Sequence, residues 1–133
     1  RYSIVDMTRD NGLGDVPRAN ALLISPVAEK LAAVRHQNGR DVWVVAHRWN
    51  SNAFVAYLVT ADGVQSKPVM SNVGSMHAGT GRNAIGAMKF SPDGRKLAVA
   101  LWREANKYEV FDFDRATGQV RNPKTFAPYP EAY

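Results

Sequence analysis

The feature that most constrains this chain is a repeat carried by its turns. Asn38-Gly39-Arg40 and Asp93-Gly94-Arg95 lie 55 residues apart, as do Gly63 and Gly118, and no gap is needed between these anchors. In each copy the first turn opens an apolar run, at residues 42–46 or 97–101. A polar break, a second mainly extended run and a second glycine turn then follow. A period this long, filled with strand-like content, points to a radial β-repeat such as a propeller blade. Two such units cannot close a ring, so the repeat also implies an incomplete circle.

The composition of the runs supports the same architecture. Val42-Trp43-Val44-Val45-Ala46 and Leu97-Ala98-Val99-Ala100-Leu101 are apolar at both parities. Successive side chains in a strand point to opposite faces, so both faces of these strands must be covered. The next run is more mixed: Phe111 and Phe113 share one face, while Val110 shares the other with Asp112 and Asp114. Burial near the centre and growing polarity outward fit blades stacked around an axis, where a one-sided meander would alternate more cleanly. A two-sheet sandwich also buries apolar strands, but it does not predict turns in register every 55 residues.

The expected fold class is therefore all-β: a partial β-propeller of two four-stranded antiparallel blades, at residues 28–74 and 85–128, preceded by the tail strands of an earlier blade at 1–27. Strands are predicted at 2–8, at Leu22-Leu23-Ile24, and at 31–36, 42–47, 53–60 and 68–73 in the first blade. In the second they fall at 85–90, 96–102, 108–114 and weakly near 125–127. Asp10-Asn11-Gly12-Leu13-Gly14-Asp15 reads as a dense turn, and Asn38-Gly39 as a type I′ hairpin. The residues of 28–34 favour helix by composition, and the repeat overrides that preference.

Bulk properties bound the function classes. A chain of 133 residues with 45% hydrophobic and 22% charged residues has the composition of a globular domain. The absence of cysteine excludes disulfides and thiolate metal sites. No apolar stretch approaches the roughly 20 residues needed to span a bilayer. The net charge of +5 comes from seventeen basic residues spread along the chain, whose longest run is Arg95-Lys96. A phosphate-tracking surface shows clustering, so nucleic acid is not the expected partner. The chain starts at Arg1 without an initiator methionine, and the expectation is a piece of something longer.

Met88-Lys89-Phe90-Ser91-Pro92-Asp93-Gly94-Arg95-Lys96-Leu97-Ala98-Val99-Ala100 resembles the blade signature of WD40-like bacterial β-propellers. Tyr108-Glu109-Val110-Phe111-Asp112-Phe113-Asp114, followed by Thr117-Gly118, completes that pattern. Asn11-Gly12-Leu13-Gly14-Asp15-Val16, Glu29-Lys30-Leu31 and Asp41-Val42-Trp43-Val44-Val45 are similar to propeller regions of large surface proteins of gliding bacteria. Those proteins commonly carry a sorting domain for the type IX secretion system. The resemblance implies a secreted or cell-surface location. The Trp-Asp pair that ends a standard WD40 blade is absent, as is the sorting domain.

In a propeller, the loops joining second to third strands share a rim with the loops joining blade to blade. Candidate binding residues on that rim are His47, Arg48, Trp49, His77, Arg82, Trp102 and Arg103. Aromatic and arginine side chains anchor partners through large contact area and directional hydrogen bonds. The competing reading packs Trp49 and Trp102 between blades and lays the arginines over them. Gly74, Gly79, Gly81 and Gly86 lack the Gly-Lys-Ser/Thr of a phosphate loop. The three histidines show no metal-ligand spacing, and no Gly-x-Ser-x-Gly elbow exposes a nucleophile. Asp112 and Asp114 could in principle pair as acid and base, but such acids more often solvate an outer strand. No catalytic set, metal site or cofactor is assigned.

Two functions follow as expectations. One is a non-catalytic interaction module that binds protein or glycan through its rim loops. The other is part of a propeller enzyme, of hydrolase or lactonase type, whose site is completed by missing blades. Open blade faces at both ends predict self-association, completing a ring from several copies, or packing against neighbouring blades of a parent protein.

Overall fold

The computed structural model describes residues 1–102 and 106–128, which form eleven strands and two short 3-10 turns. Strands β1 (Tyr2–Asp6) and β2 (Asp15–Ala21) make a two-stranded hairpin. A five-stranded sheet follows, built from β3 (Val27–Arg35), β4 (Val42–Arg48), β5 (Ser51–Thr60), β6 (Gly63–Val64) and β7 (Val69–His77). The last sheet has four strands, β8 (Met88–Phe90), β9 (Lys96–Leu101), β10 (Lys107–Asp114) and β11 (Gln119–Phe126). All pairings are antiparallel, and no sheet closes on itself. The chain is all-β, with its helix confined to the two 3-10 turns among the described residues.

Both larger sheets follow the order of the chain. In the first, β3, β4 and β5 are neighbours, and β6 and β7 share the far edge of β5. In the second the order is β8-β9-β10-β11. The sheets lie face to face in matching order, with β3 beside β8 and β7 beside β11. Alternation along the strands builds the core between them. Trp43 and Val45 of β4, with Phe54 and Ala56 of β5, meet Leu97, Val99 and Leu101 of β9 and Phe111 and Phe113 of β10. Phe54 and Phe111 meet edge to face at 4.9 Å, a favoured geometry for aromatic quadrupoles. Each such ring, fully buried, contributes roughly 1.5–3 kcal/mol of transfer free energy.

The glycines of the repeat are left-handed as expected, but Asn38 is not, so the Asn38-Gly39 turn is not of type I′. Gly39 and Gly94 have φ of 73° and 71°, and Gly63 and Gly118 have φ of 109° and 75°, all in the left-handed region. At Gly118 a second constraint adds to the turn, since a Cβ there would stand 2.8 Å from the Trp43 ring. The indole Nε1 of Trp43 donates to the Arg115 carbonyl at 2.9 Å, so ring and turn are locked together across the two sheets.

The structure departs from the sequence reading at several places; of the predicted 85–90 only Met88–Phe90 is strand, and 68–73 runs on to His77. Leu22-Leu23-Ile24 is not a strand; β2 instead begins at Asp15, within the predicted turn, because Asp6 pairs with Asp15 and Tyr2 with Ala21. The outer strand of the first sheet is split, so that sheet has five strands rather than four: residues 65–68, ending in Pro68, interrupt it between β6 and β7. The outer strand of the second sheet is longer than 125–127, running through all of Gln119–Phe126. Buried Val120 and its pairing with Phe113 anchor it there. Residues 28–34 are extended within β3, as the repeat required.

Candidate binding rim and the polar cluster beneath it

The ends of β4, β7 and β9 and the starts of β3, β5 and β10 lie at one end of the paired sheets. There Val27 of β3 pairs with Arg48, Ser51 with His77, and Leu101 with Lys107. The crossover between sheets, with its 3-10 turn at Gly81–Ala84, runs over the same end. The predicted rim residues therefore gather here, with Arg103 lying outside the described residues. Arg48, Trp49 and Trp102 are half-buried and Arg82 is exposed. The backbone of Trp49 is tied down, its N–H donating to the Pro26 carbonyl at 3.2 Å, and the Asn50 N–H donates to the His77 carbonyl at 2.8 Å.

His47 and His77 are placed differently from their neighbours. Both are 0% exposed, so they lie beneath the rim and reach no solvent. Alternation explains it: His47 follows Trp43 and Val45 on the core face of β4. The two imidazoles stack, with centroids 3.6 Å apart and planes at 15°, and Phe54 meets His47 edge-on at 4.6 Å. The His47 Nδ1 lies 2.9 Å from the Arg48 carbonyl, a contact only an N–H can make. This fixes the tautomer and leaves Nε2 as a bare acceptor. Nε2 of His47 and both ring nitrogens of His77 have no hydrogen-bond partner among the described residues. Burial pushes His47 down to about 4 and His77, which also feels His47, Lys30 and Lys107, down to about 2. Both rings are neutral at pH 7.

Two buried charges flank the pair. Lys30, 3% exposed, donates from Nζ to the carbonyls of Asn83, Ala84 and Ile85 at 3.2, 3.0 and 2.9 Å. It caps the 3-10 turn and straps the crossover to β3. Burial lowers its ammonium to about 8, with Glu29 opposing the shift, so it stays charged at neutral pH and uses all three protons. Glu109, 2% exposed, accepts from the N–H and hydroxyl of Ser75 on β7 at 3.1 and 2.7 Å. It also accepts from Thr125 on β11 at 3.1 Å. This one carboxylate thus binds the outer strand of each sheet to β10.

The sequence reading did not single out Lys30 or Glu109, although the signal was present. Lys30 falls on the parity of Ala28, Ala32 and Val34, and Glu109 on that of Phe111 and Phe113. A charged residue on the apolar parity of a strand is either buried and paired or a break in the pattern.

The other acids singled out in the sequence lie away from this rim. Asp112 is bound by Lys96 and by Asn122, and Asp114 by Thr117, the Ala116 N–H and Arg121. These partners hold both carboxyls below the usual carboxylate range. They are ionised acceptors at neutral pH, and neither holds a proton to act as a general acid. They line a broad charged cleft of about 1020 Å³ with Asp93, Arg95 and Arg115, at the turn end of the second sheet. Among the described residues, no group of three or more His, Cys, Asp or Glu is arranged to hold a metal ion. No helix among them is long and apolar enough to cross a membrane.

Compared with known families and curated proteins, the chain matches no family model and no curated sequence.

Proposed function

We propose that this chain is a non-catalytic interaction module, two blades and the tail of a third from a β-propeller, that binds a protein or glycan through its rim. The matching strand order of the two stacked sheets supports the propeller reading, because neighbouring blades repeat one order around an axis whereas Greek-key sandwiches permute it. The secreted or cell-surface location implied by the bacterial propeller resemblance belongs to the same proposal.

The observation that carries the binding reading is the rim itself. Half-buried Arg48, Trp49 and Trp102 and exposed Arg82 belong to the strand ends and crossover at the end of the sheets where Lys30, His47, His77 and Glu109 are buried. A rigid floor lowers the ordering cost that a contact surface otherwise adds to binding. Half-buried tryptophans and arginines are the side chains that most often dominate such surfaces, and they also stack on sugar rings and bond their hydroxyls.

The test is to screen the chain against a glycan array and a panel of bacterial surface proteins, then to repeat every hit with a Trp49→Ala, Arg82→Ala double variant. Loss of binding in the variant, with an unchanged melting temperature, is the expected result. Hits that survive it, or that are lost instead on changing Asp93 and Arg115 at the turn end, would overturn the rim assignment.

A further inference from the structure

The chain places an asparagine directly before a glycine twice, at Asn11-Gly12 and Asn38-Gly39. That pairing carries a chemistry of its own. Glycine has no side chain to keep a neighbouring group off its nitrogen, so its amide can attack the preceding carboxamide and close a five-membered ring. The two sites begin alike. Both asparagines and both glycines are exposed. Both glycines are left-handed, at φ 92° and 73°. Each glycine N–H is engaged at 3.0 Å, that of Gly12 with the Arg9 carbonyl and that of Gly39 with the His36 carbonyl. Neither exposure nor the attacking nitrogen separates them.

Their carboxamides do. Asn38 is held at both ends of its amide: Oδ1 accepts from the N–H groups of Arg40 and Asp41 at 3.0 and 3.1 Å, and Nδ2 donates to Asp41 Oδ2 at 2.8 Å. Asp41 is buried, so this anchor does not wander. All three bonds must break before the Asn38 Cγ can turn onto the Gly39 nitrogen. The Asn11 carboxamide makes no hydrogen bond among the described residues. Three net hydrogen bonds slow the reaction at Asn38 roughly a hundredfold relative to Asn11.

We propose that Asn11 is a self-modification site, converted to aspartate and isoaspartate by the Gly12 amide and water, while the Asp41-anchored turn protects Asn38. The Gly12 nitrogen gives its proton to solvent and adds to the Asn11 Cγ. The bond from Cγ to Nδ2 breaks, Nδ2 takes up a proton, and ammonia leaves a succinimide behind. Water then opens the ring. Opening at Cγ gives aspartate; opening at the main-chain carbonyl routes the backbone through the side chain as isoaspartate. Water is the only co-reactant, and nothing is oxidised or reduced.

Either product adds a carboxylate to a turn already rich in them. Among residues 6–15 Arg9 is the one cation, and it already lies 3.2 Å from Asp6 and 3.7 Å from Asp15. Isoaspartate also lengthens the backbone inside the turn that the Gly12, Leu13 and Gly14 N–H groups close. The β1–β2 hairpin is therefore the part of the molecule that changes with age.

The test uses the intact chain, held in mildly alkaline buffer and sampled over time. Trypsin frees residues 10–18 and 36–40 as separate peptides. Mass spectrometry follows the gain that marks a carboxamide becoming a carboxylate, and fragmentation tells Asn38 from Gln37. In the folded chain Asn11 is expected to convert roughly a hundredfold faster than Asn38. In urea, where the Asn38 bonds are gone, the two are expected to convert at similar rates. Asp41→Ala is expected to quicken Asn38 and leave Asn11 unchanged; should it not fold, the folded and urea-treated parent chains carry the comparison. Asn11→Gln is expected to abolish conversion in residues 10–18. Equal rates at the two sites in the folded chain overturn the proposal. So does an Asn11 that stays intact while the urea-treated chain converts, since the fold would then shield it as well.

Discussion

Lys30 and Gly118 show how single residues decide local structure. Lys30 is buried because one ammonium can satisfy three carbonyls that the crossover turn leaves without partners. Replacing it with methionine keeps the apolar stem and removes every donor. The carbonyls would then be left unpaired, and we expect Lys30→Met to lose about 3 kcal/mol of stability. Urea unfolding measures that loss, and faster hydrogen exchange at the Ile85 amide locates it in the crossover. Gly118 and Gly39 share left-handed backbone, but only Gly118 has a neighbour, since nothing lies within 4 Å of a Cβ at Gly39. Gly39→Ala therefore isolates backbone strain, about 1 kcal/mol. Gly118→Ala adds the collision with Trp43 and is expected to cost about 2–4 kcal/mol. Equal melting temperatures for the two variants would show that Trp43 moves aside freely.

At the scale of strands, Glu109 holds the two sheets together at their outer edge. It binds Ser75 of β7 and Thr125 of β11 from its place on β10. Glu109→Ala is expected to cost about 2–4 kcal/mol, because it strands buried donors on two elements at once. Glu109→Gln, which keeps one acceptor oxygen, should fall between. Exchange at the Ser75 amide should quicken in both variants, in the same order. Much of this level was legible in the sequence. The inner strands could be read because both parities are apolar in β4 and β9, and the turns because glycine marks them at a fixed period. The outer strands were harder. Residues 119–126 contain Asn122, Pro123 and three exposed basic or amide side chains, so only Val120 signals burial, and only its partner Phe113 explains it. Leu22-Leu23-Ile24 misled for the opposite reason: Leu23 and Ile24 line a cavity and Leu22 is exposed, and none of the three pairs in a sheet. The order of loops put His47 and His77 on the rim with Arg48 and Trp49, but strand parity buries both rings. The buried charges were missed because Lys30 and Glu109 owe their places to partners 53 and 34 residues away in sequence.

The whole molecule should carry the histidine pair as a weakness to acid. In the folded chain the two imidazoles are held at about 4 and about 2, below their ordinary value of 6.5, chiefly by burial. Between pH 6.5 and pH 4 the unfolded chain therefore binds more protons than the folded one. Stability is complete above pH 6.5 and is lost as pH falls through that window, by up to about 1.4 kcal/mol per pH unit for each histidine. The charges that face the pair sharpen this. Lys30 on β3 and Lys107 on β10 oppose a proton on His77, and Lys30 opposes one on His47. Glu109 favours a proton on His47, but its oxygens are already occupied by Ser75 and Thr125. The paired surface carboxylates Asp112 and Asp114 are held below 3.8, so their loss comes at lower pH and leaves the window to the histidines. We expect the urea midpoint to fall steadily from pH 6.5 to pH 4 while the m-value stays constant. His77→Leu should flatten that slope by about half, since it removes one of the two titrating rings and three orphaned nitrogens become one. It should also raise stability at pH 5 relative to the parent chain, because a buried acceptor without a partner is replaced by a group that needs none. A slope unchanged in His77→Leu would mean that the pair is not what titrates, and that the acid sensitivity of the fold lies in its carboxylates.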